Sequence, residues 1–155
     1  MIIAVGSDEA NAMTEALLHA LVERGHTLQR FGALGDGNDE DWPLMARNVG
    51  RAVASGQAAQ GIVCCWTGTG ASIAANKVRG VRAALCHDAE TARGARIWNH
   101  ANVLALSLRA TSAPVMAEIL EAWFATPIDS GEAQSAWNRE QMARIDALEV
   151  EESSQ

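Results

Sequence analysis

Short apolar runs alternate along the chain with stretches whose apolar residues recur every three or four positions. Residues 2–5 are such a run, closed by Gly6-Ser7-Asp8; its length and flanking turn residues predict a buried strand. Residues 11–24 follow, with Met13, Leu17, Leu18, Leu21 and Val22 spaced as one helix face and Gly25 as the stop. Residues 27–31 predict a second strand. A Gly- and Asp-rich loop over residues 32–41 then leads into a helix opened by Asp41-Trp42-Pro43 and running to about Ser55. The alternation continues with a strand over Gly61-Ile62-Val63-Cys64-Cys65, a Gly-rich turn, and a helix from about Ser72. Residues 81–86 and 103–108 predict two more strands, separated by a helix at Ala89–Asn99. Pro114 stands near the start of a helix reaching about Thr126, and residues 129–155 read as one long polar helix with an acidic end.

Strands alternating with helices predict an α/β protein. The expected architecture is a three-layer Rossmann-like sandwich with a five-stranded parallel sheet and an extended C-terminal helix. Residues 1–128 would form the sheet unit and 129–155 a helical tail, within a single domain overall. Sheets of this kind bind ligands at the carboxyl ends of their strands. Asp8, Cys65, His87 and Ser107 all fall at or just after such ends.

Composition narrows the partners. The 155 residues carry a net charge of -7, with 48% hydrophobic and 20% charged residues and no Lys/Arg cluster. Nucleic acid and anionic membrane surfaces are poor partners for such a chain, whereas a small anionic ligand needs only local donors. No run approaches the ~20 apolar residues of a membrane span, and the first residues carry no basic leader, so a cytoplasmic location is expected. The three cysteines, Cys64, Cys65 and Cys86, form no disulfide framework. No spacing of His, Cys, Asp and Glu resembles a metal site, so neither metal nor cofactor is implied.

The candidate chemistry lies at the third strand's end. A strand ending in Cys65 and turning through Thr67-Gly68-Thr69-Gly70 into a helix can cradle an anion, because glycines admit positive φ and free N–H groups face the ligand. A plain tight turn is the alternative. The full Gly-x-Gly-x-x-Gly fingerprint and a P-loop Lys are both missing, which argues against a nucleotide module. A helix N-terminus stabilises a thiolate, so Cys65 can be a nucleophile or a base; equally, it can be core. Cys64 must face the other side of the sheet and reads as buried filler.

The order of motifs resembles the sugar-phosphate isomerase family of ribose-5-phosphate isomerase B and galactose-6-phosphate isomerase. The resemblance rests on Gly6-Ser7-Asp8, Asp41-Trp42-Pro43, Cys65, the Thr67–Gly70 loop and Ser72-Ile73-Ala74-Ala75-Asn76-Lys77. It extends through Arg82-Ala83-Ala84-Leu85-Cys86-His87-Asp88 and Asn99-His100-Ala101-Asn102-Val103-Leu104-Ala105-Leu106, covering residues 1 to about 126. It implies aldose–ketose isomerisation through a cis-enediol, with Cys65 as base and Thr67 moving protons between oxygens. Gly68, Thr69 and Gly70 with Asn99 would form the oxyanion hole, and Asp8 would match the acid associated with ring opening. Ser72 belongs to the same loop-helix segment. The family also implies a homodimer or homotetramer whose sites are completed by the neighbouring chain's tail.

Four departures bear on the substrate. Glu9 replaces the histidine that contacts phosphate, and Trp98 replaces the ring-opening histidine, a role His100 could inherit. Ser130-Gly131-Glu132, Ser135 and Ala136 stand where the tail arginines belong, unless Arg139 or Arg144 substitute through a short insertion. Trp66 replaces a glycine between Cys65 and Thr67. Trp66 and Trp98 can stack on a sugar ring or simply pack in a core or interface. The expected substrate is therefore a sugar or sugar phosphate other than ribose 5-phosphate. The alternative is a weakened family member that binds a sugar or serves as a partner subunit. Elsewhere, His87–Asp88 can poise a base or form a structural pair. Arg93 and Arg96 can reach an anion or pair with Glu90, and His19 and His26 read as surface residues.

Overall fold

A computed structural model describes residues 1–36 and 41–152; residues 37–40 of the predicted Gly/Asp loop and the last three residues lie outside it. The chain runs β1 (Ile2–Ser7), α1 (Ala12–Glu23), β2 (Thr27–Gly32), α2 (Trp42–Ala54), β3 (Gln60–Cys65), α3 (Thr69–Ala75) and β4 (Ala83–Leu85). It continues with α4 (Ala89–Asn99), β5 (Val103–Ser107), α5 (Ala113–Ala125), a 3-10 turn (Gly131–Gln134) and α6 (Ala136–Glu152). All five strands are parallel, in the order β2-β1-β3-β5-β4.

Helices α1, α4 and α5 pack on one face of that sheet and α2 and α3 on the other, the division that right-handed crossovers produce for this strand order. The core divides accordingly. Ile3, Val5, Ile62, Cys64, Leu104 and Leu106 pack against Leu17, Leu21, Ile119 and Trp123. Ala4, Val63, Cys65, Val103 and Ala105 pack against Met45, Val49, Ala71 and Ala75. Strands covered on both faces have no polar side to show, which is why their sequences are continuous apolar runs.

Caps set where the helices begin. The Asn11 side chain accepts from the Met13 and Thr14 amides, and the Thr14 hydroxyl accepts from the Asn11 amide, a reciprocal cap. Asp88 accepts from the Thr91 amide at 2.6 Å. α3 is different: Gly68 caps it at φ 76° with no side-chain hydrogen bond, and the helix begins at Thr69, not at Ser72.

Two further expectations change. The fourth strand shrinks from residues 81–86 to Ala83–Leu85 because side chains take over its backbone partners. Arg82 N donates to Asn102 Oδ1 and Ala83 N to Asn76 Oδ1, both at 2.8 Å. The tail is not one helix from residue 129. Gly131 sits at φ 60° and Ser135 is extended at ψ 151°, so a 3-10 turn precedes α6. The tail then lies along its own chain: Arg82 pairs with Asp146 at 3.3 Å, and the Glu149 carboxylate accepts from Gly80 N at 3.0 Å.

Candidate active site

β1 hands the chain outward to β2, while β3 sends it the opposite way, and such a reversal opens a crevice at the carboxyl ends. Ser7 pairs with Cys64 across β1 and β3, and Cys65 pairs with Ser107 across β3 and β5. Asp8, Cys65 and Ser107 therefore converge on one edge.

Cys65 is 5% exposed and faces α2 and α3, whereas Cys64 is fully buried on the opposite face. Burial drives the Cys64 thiol far above its ordinary range and raises Cys86 to about 12, so neither ionises near neutral pH. All three cysteines are free.

The loop after Cys65 is stapled to the end of β5. The Cys65 carbonyl accepts from Gly68 N at 3.1 Å and Leu108 N at 3.0 Å. The Trp66 carbonyl accepts from Ser107 Oγ at 2.9 Å and Arg109 N at 3.1 Å. At Gly68 a Cβ would lie 2.5 Å from Leu85 Cδ1 and 2.9 Å from the Leu106 carbonyl carbon. Only glycine fits this close approach at positive φ. The hydroxyls of Thr67 and Thr69 are 2.7 Å apart. With no side chain capping α3, its first amides are left for an acceptor from outside. The Trp42 indole lies over Gly70, 3.1 Å from where its Cβ would stand.

Asp8 Oδ1 is buried without a hydrogen-bond partner, and burial, aided by neighbouring Glu9, holds its carboxyl above the usual range. Glu9 itself is exposed and accepts from Asn11 Nδ2 at 3.3 Å. A cavity of about 390 Å³ opens beside the loop, lined by Thr67, Leu85, Cys86, His87, Ser107 and Arg109 among others. His87 pairs with Asp88 at 3.3 Å; the Thr91 amide holds that carboxyl below its ordinary range. Sequence reasoning missed Arg109. Its only signal was a lone cation two residues beyond a strand end, and the placement of β5 beside β3 makes it a neighbour of Thr67. Ser72 lies in the first turn of α3, half-buried, its amide bonded to the Gly68 carbonyl at 3.0 Å. Trp66 does not pack under the loop; its side chain is 58% exposed.

Trp98, Asn99 and His100 are not with Cys65 in this chain. α4 starts at the carboxyl edge and its 11 residues carry the chain back about 16 Å, to the opposite end of the sheet. There Trp98 Nε1 donates to Glu132 Oε1 at 3.2 Å, with the Arg93 guanidinium 5.9 Å from the indole ring. His100, at φ 46°, has Nε2 2.8 Å from the Ala133 carbonyl, a contact that requires the proton on Nε2. The buried Asn138 amide donates to the Ile97 and Ala133 carbonyls. Arg93 pairs with Glu90, while Arg96 is buried, bonded to the Ala101 and Thr126 carbonyls and set 5.1 Å from the Trp123 ring. Arg139 donates to the Gln134 carbonyl and Arg144 pairs with Glu140, so both tail arginines are engaged within the tail. A larger cavity, about 750 Å³, runs along this flank between Asn76, Arg82, Glu90, Trp98, Asn99 and Ile145. Size alone does not make it the reaction site, because it holds neither the thiol nor the loop. His26, expected at the surface, is half-buried with both ring nitrogens unpartnered, 4.6 Å from the Phe124 ring. No helix among the described residues is long and apolar enough to cross a membrane.

The structure is thus a doubly wound α/β sheet with a buried thiol and a Gly-rich turn at its reversal point, and the class of protein this belongs to is the sugar-phosphate isomerases. Residues 3–139 match the family model described as ribose/galactose isomerase, and the chain belongs to that family. It is 35% identical over 130 residues to D-erythrulose-4-phosphate isomerase of Pectobacterium atrosepticum, covering 83% of this chain and 86% of the relative. It is also 35% identical over 133 residues to ribose-5-phosphate isomerase B of Escherichia coli, covering 85% and 89%. Among solved structures, ribose-5-phosphate isomerase B of Clostridium thermocellum superposes with a TM-score of 0.85 at 33% identity, covering 97% of this chain and 99% of that one.

Proposed function

We propose that this chain interconverts an aldose and a ketose, each phosphorylated, through a cis-enediol intermediate with Cys65 as the base. The observation that carries the reading is the placement of Cys65 one turn before the Gly68 cradle and the uncapped start of α3. The Cys65 thiolate takes the proton from the carbon beside the carbonyl. The released electron pair forms the enediolate, and negative charge gathers on the former carbonyl oxygen. The Gly68 amide is spent on the Cys65 carbonyl, so the amides of Thr69 and Gly70 are the loop donors that meet that charge, and such donors are commonly the largest catalytic contribution. Thr67 passes a proton between the two oxygens, and the thiol returns its proton to the neighbouring carbon. Substrate and product thus differ only in where hydrogen sits. Arg109 and the α3 amides supply the positive side of an otherwise acidic protein for the phosphate.

Asn99 enters from a second copy, since its own α4 holds it at the far end of the sheet. Trp42, Trp66 and Ile73 stand 41%, 58% and 60% exposed near the loop, an apolar group that a homodimer contact would cover. The tail would serve as part of that contact. The substrate differs from ribose 5-phosphate because Glu9 and Trp98 occupy positions that the pentose phosphate reaction gives to histidines. The relatives' own substrates span two chemical types: erythrulose 4-phosphate has no ring form, and ribose 5-phosphate is mostly a closed ring.

Proton NMR in deuterated buffer tests the reading. Deuterium should enter beside the carbonyl of at least one sugar phosphate, and Cys65→Ala should slow this by roughly 100-fold or more. Exchange that survives in Cys65→Ala would remove Cys65 as the base. No exchange with any sugar would favour a subunit that only binds.

A further inference from the structure

We infer that the cleft between α2 and the end of α3 is a second anion site, apart from the reaction site, for a small molecule that carries two adjacent phosphates. This goes beyond the isomerase reading and does not rest on it.

No Lys/Arg cluster is written along the chain; folding makes one. Arg47 and Arg51 are four residues apart on α2 and so share one face of that helix. Lys77 and Arg79 follow the last turn of α3. The close approach of the two helices joins these pairs. A Cβ at Gly50 would stand 3.1 Å from Val78 Cγ2 and 3.4 Å from the Ala75 carbonyl oxygen. A cavity of about 500 Å³ lies there, lined by all four cations and by apolar groups that include Leu44 and Val78.

Helix dipoles account for part of this arrangement. Arg51 lies in the last turn of α2 and Lys77 just beyond that of α3, where a cation meets the negative end. They do not account for Arg47, in the middle of a helix that carries no Asp or Glu. Like charges at this spacing repel, and an anion between them turns that repulsion into attraction.

The cations keep donors to offer. Arg47 donates from Nε and Nη2 to Asn48 Oδ1, each at 3.4 Å, which leaves its Nη1. Glu149 stands 4.0 Å from Arg79 Nε, but its carboxylate is engaged by the Gly80 amide at 3.0 and 3.1 Å. Arg51 and Lys77 have no hydrogen bond or ion pair among the described residues. A guanidinium grips phosphate oxygens bidentately and an ammonium adds a point charge. A cavity of this size belongs with those that enclose whole small molecules, so two linked phosphates match both the charge and the space.

Lys77 is the chain's only lysine. Amine acetylation of the purified full chain, read by peptide mass, therefore reports on the cleft at one side chain, with the terminal amine as reference. Saturating pyrophosphate should slow acetylation of Lys77 roughly 10-fold, and sodium chloride at equal ionic strength should do far less. Inorganic phosphate should need a roughly 10-fold higher concentration for the same protection. Arg51→Gln should raise the pyrophosphate concentration required roughly 10-fold, whereas Arg109→Gln, at the reaction-site cavity, should leave it unchanged. Titration with ADP identifies the source: tighter protection than pyrophosphate supports an organic diphosphate that also covers the apolar side, and equal protection supports the inorganic ion. Protection by neither diphosphate, protection matched by chloride or by phosphate, or protection lost in Arg109→Gln would overturn the inference. The isomerase reading is judged separately, by Cys65-dependent deuterium exchange.

Discussion

Replacing Gly68 by alanine tests whether the cradle owes its shape to contact with β5 as well as to backbone conformation. Gly68 sits at φ 76° and Gly25, just past the end of α1, at φ 77°. Each alanine therefore incurs a similar left-handed cost of about 1–2 kcal/mol. The surroundings differ. A Cβ at Gly25 meets nothing within 4 Å, whereas at Gly68 it falls 2.5 Å from Leu85 Cδ1 and 2.9 Å from the Leu106 carbonyl carbon. Leu85 can swing away, but the Leu106 backbone belongs to the interior strand β5, paired on both sides, and cannot. The loop itself must move outward, adding about 1–3 kcal/mol of overpacking strain. At about 2–4 °C per kcal/mol for a chain of this size, Gly68→Ala should melt roughly 3–10 °C below Gly25→Ala. A displacement approaching 1 Å should also lower kcat on the order of 100-fold, with Gly25→Ala near the parent. Circular-dichroism melting and the isomerase assay read the two effects. Equal melting temperatures and equal kcat for the two variants would show that β5 does not constrain the cradle.

Three further outcomes follow from particular contacts. Asp8 holds its proton more tightly folded than unfolded, so its contribution to stability is complete below the ordinary carboxylate value. That contribution is lost as pH rises through the raised folded value. Urea unfolding of the parent and Asp8→Asn across pH 3–7 should therefore diverge in that window, with the parent losing ground as pH rises; a constant difference would refute it. Asn138→Ala removes the amide that ties the tail to the Ile97 and Ala133 carbonyls. It should cost about 1–3 kcal/mol and speed tryptic cleavage at Arg139 and Arg144, whereas an unchanged digestion rate would mean the tail is held elsewhere. Arg109→Gln should raise KM for the phosphorylated substrate roughly 10- to 100-fold with a smaller change in kcat; an unaffected KM would remove Arg109 from the phosphate site.

Much of the fold is legible locally because a strand buried on both faces and an amphipathic helix leave different periods in the sequence. The strand ending in Cys65, the opposite orientation of Cys64 and the Gly-rich turn all follow from such patterns. Errors gather where side chains replace backbone partners or a single dihedral breaks a helix. Asn76 and Asn102 shorten the fourth strand, and the extended Ser135 divides the tail. Nothing near His26 in sequence announces the Phe124 ring against which it is half-buried.

The sequence alone determined which residues could do chemistry: a thiol before a flexible glycine turn is a property of neighbours in the chain. Only the tertiary structure decided which of them meet. Setting β5 between β3 and β4 brings Ser107 and Arg109 beside Cys65 and Thr67, across register pairs more than forty residues apart. The same connection sends Trp98, Asn99 and His100 to the other end of the sheet, because a helix between parallel strands must return the chain to the edge where the next strand begins.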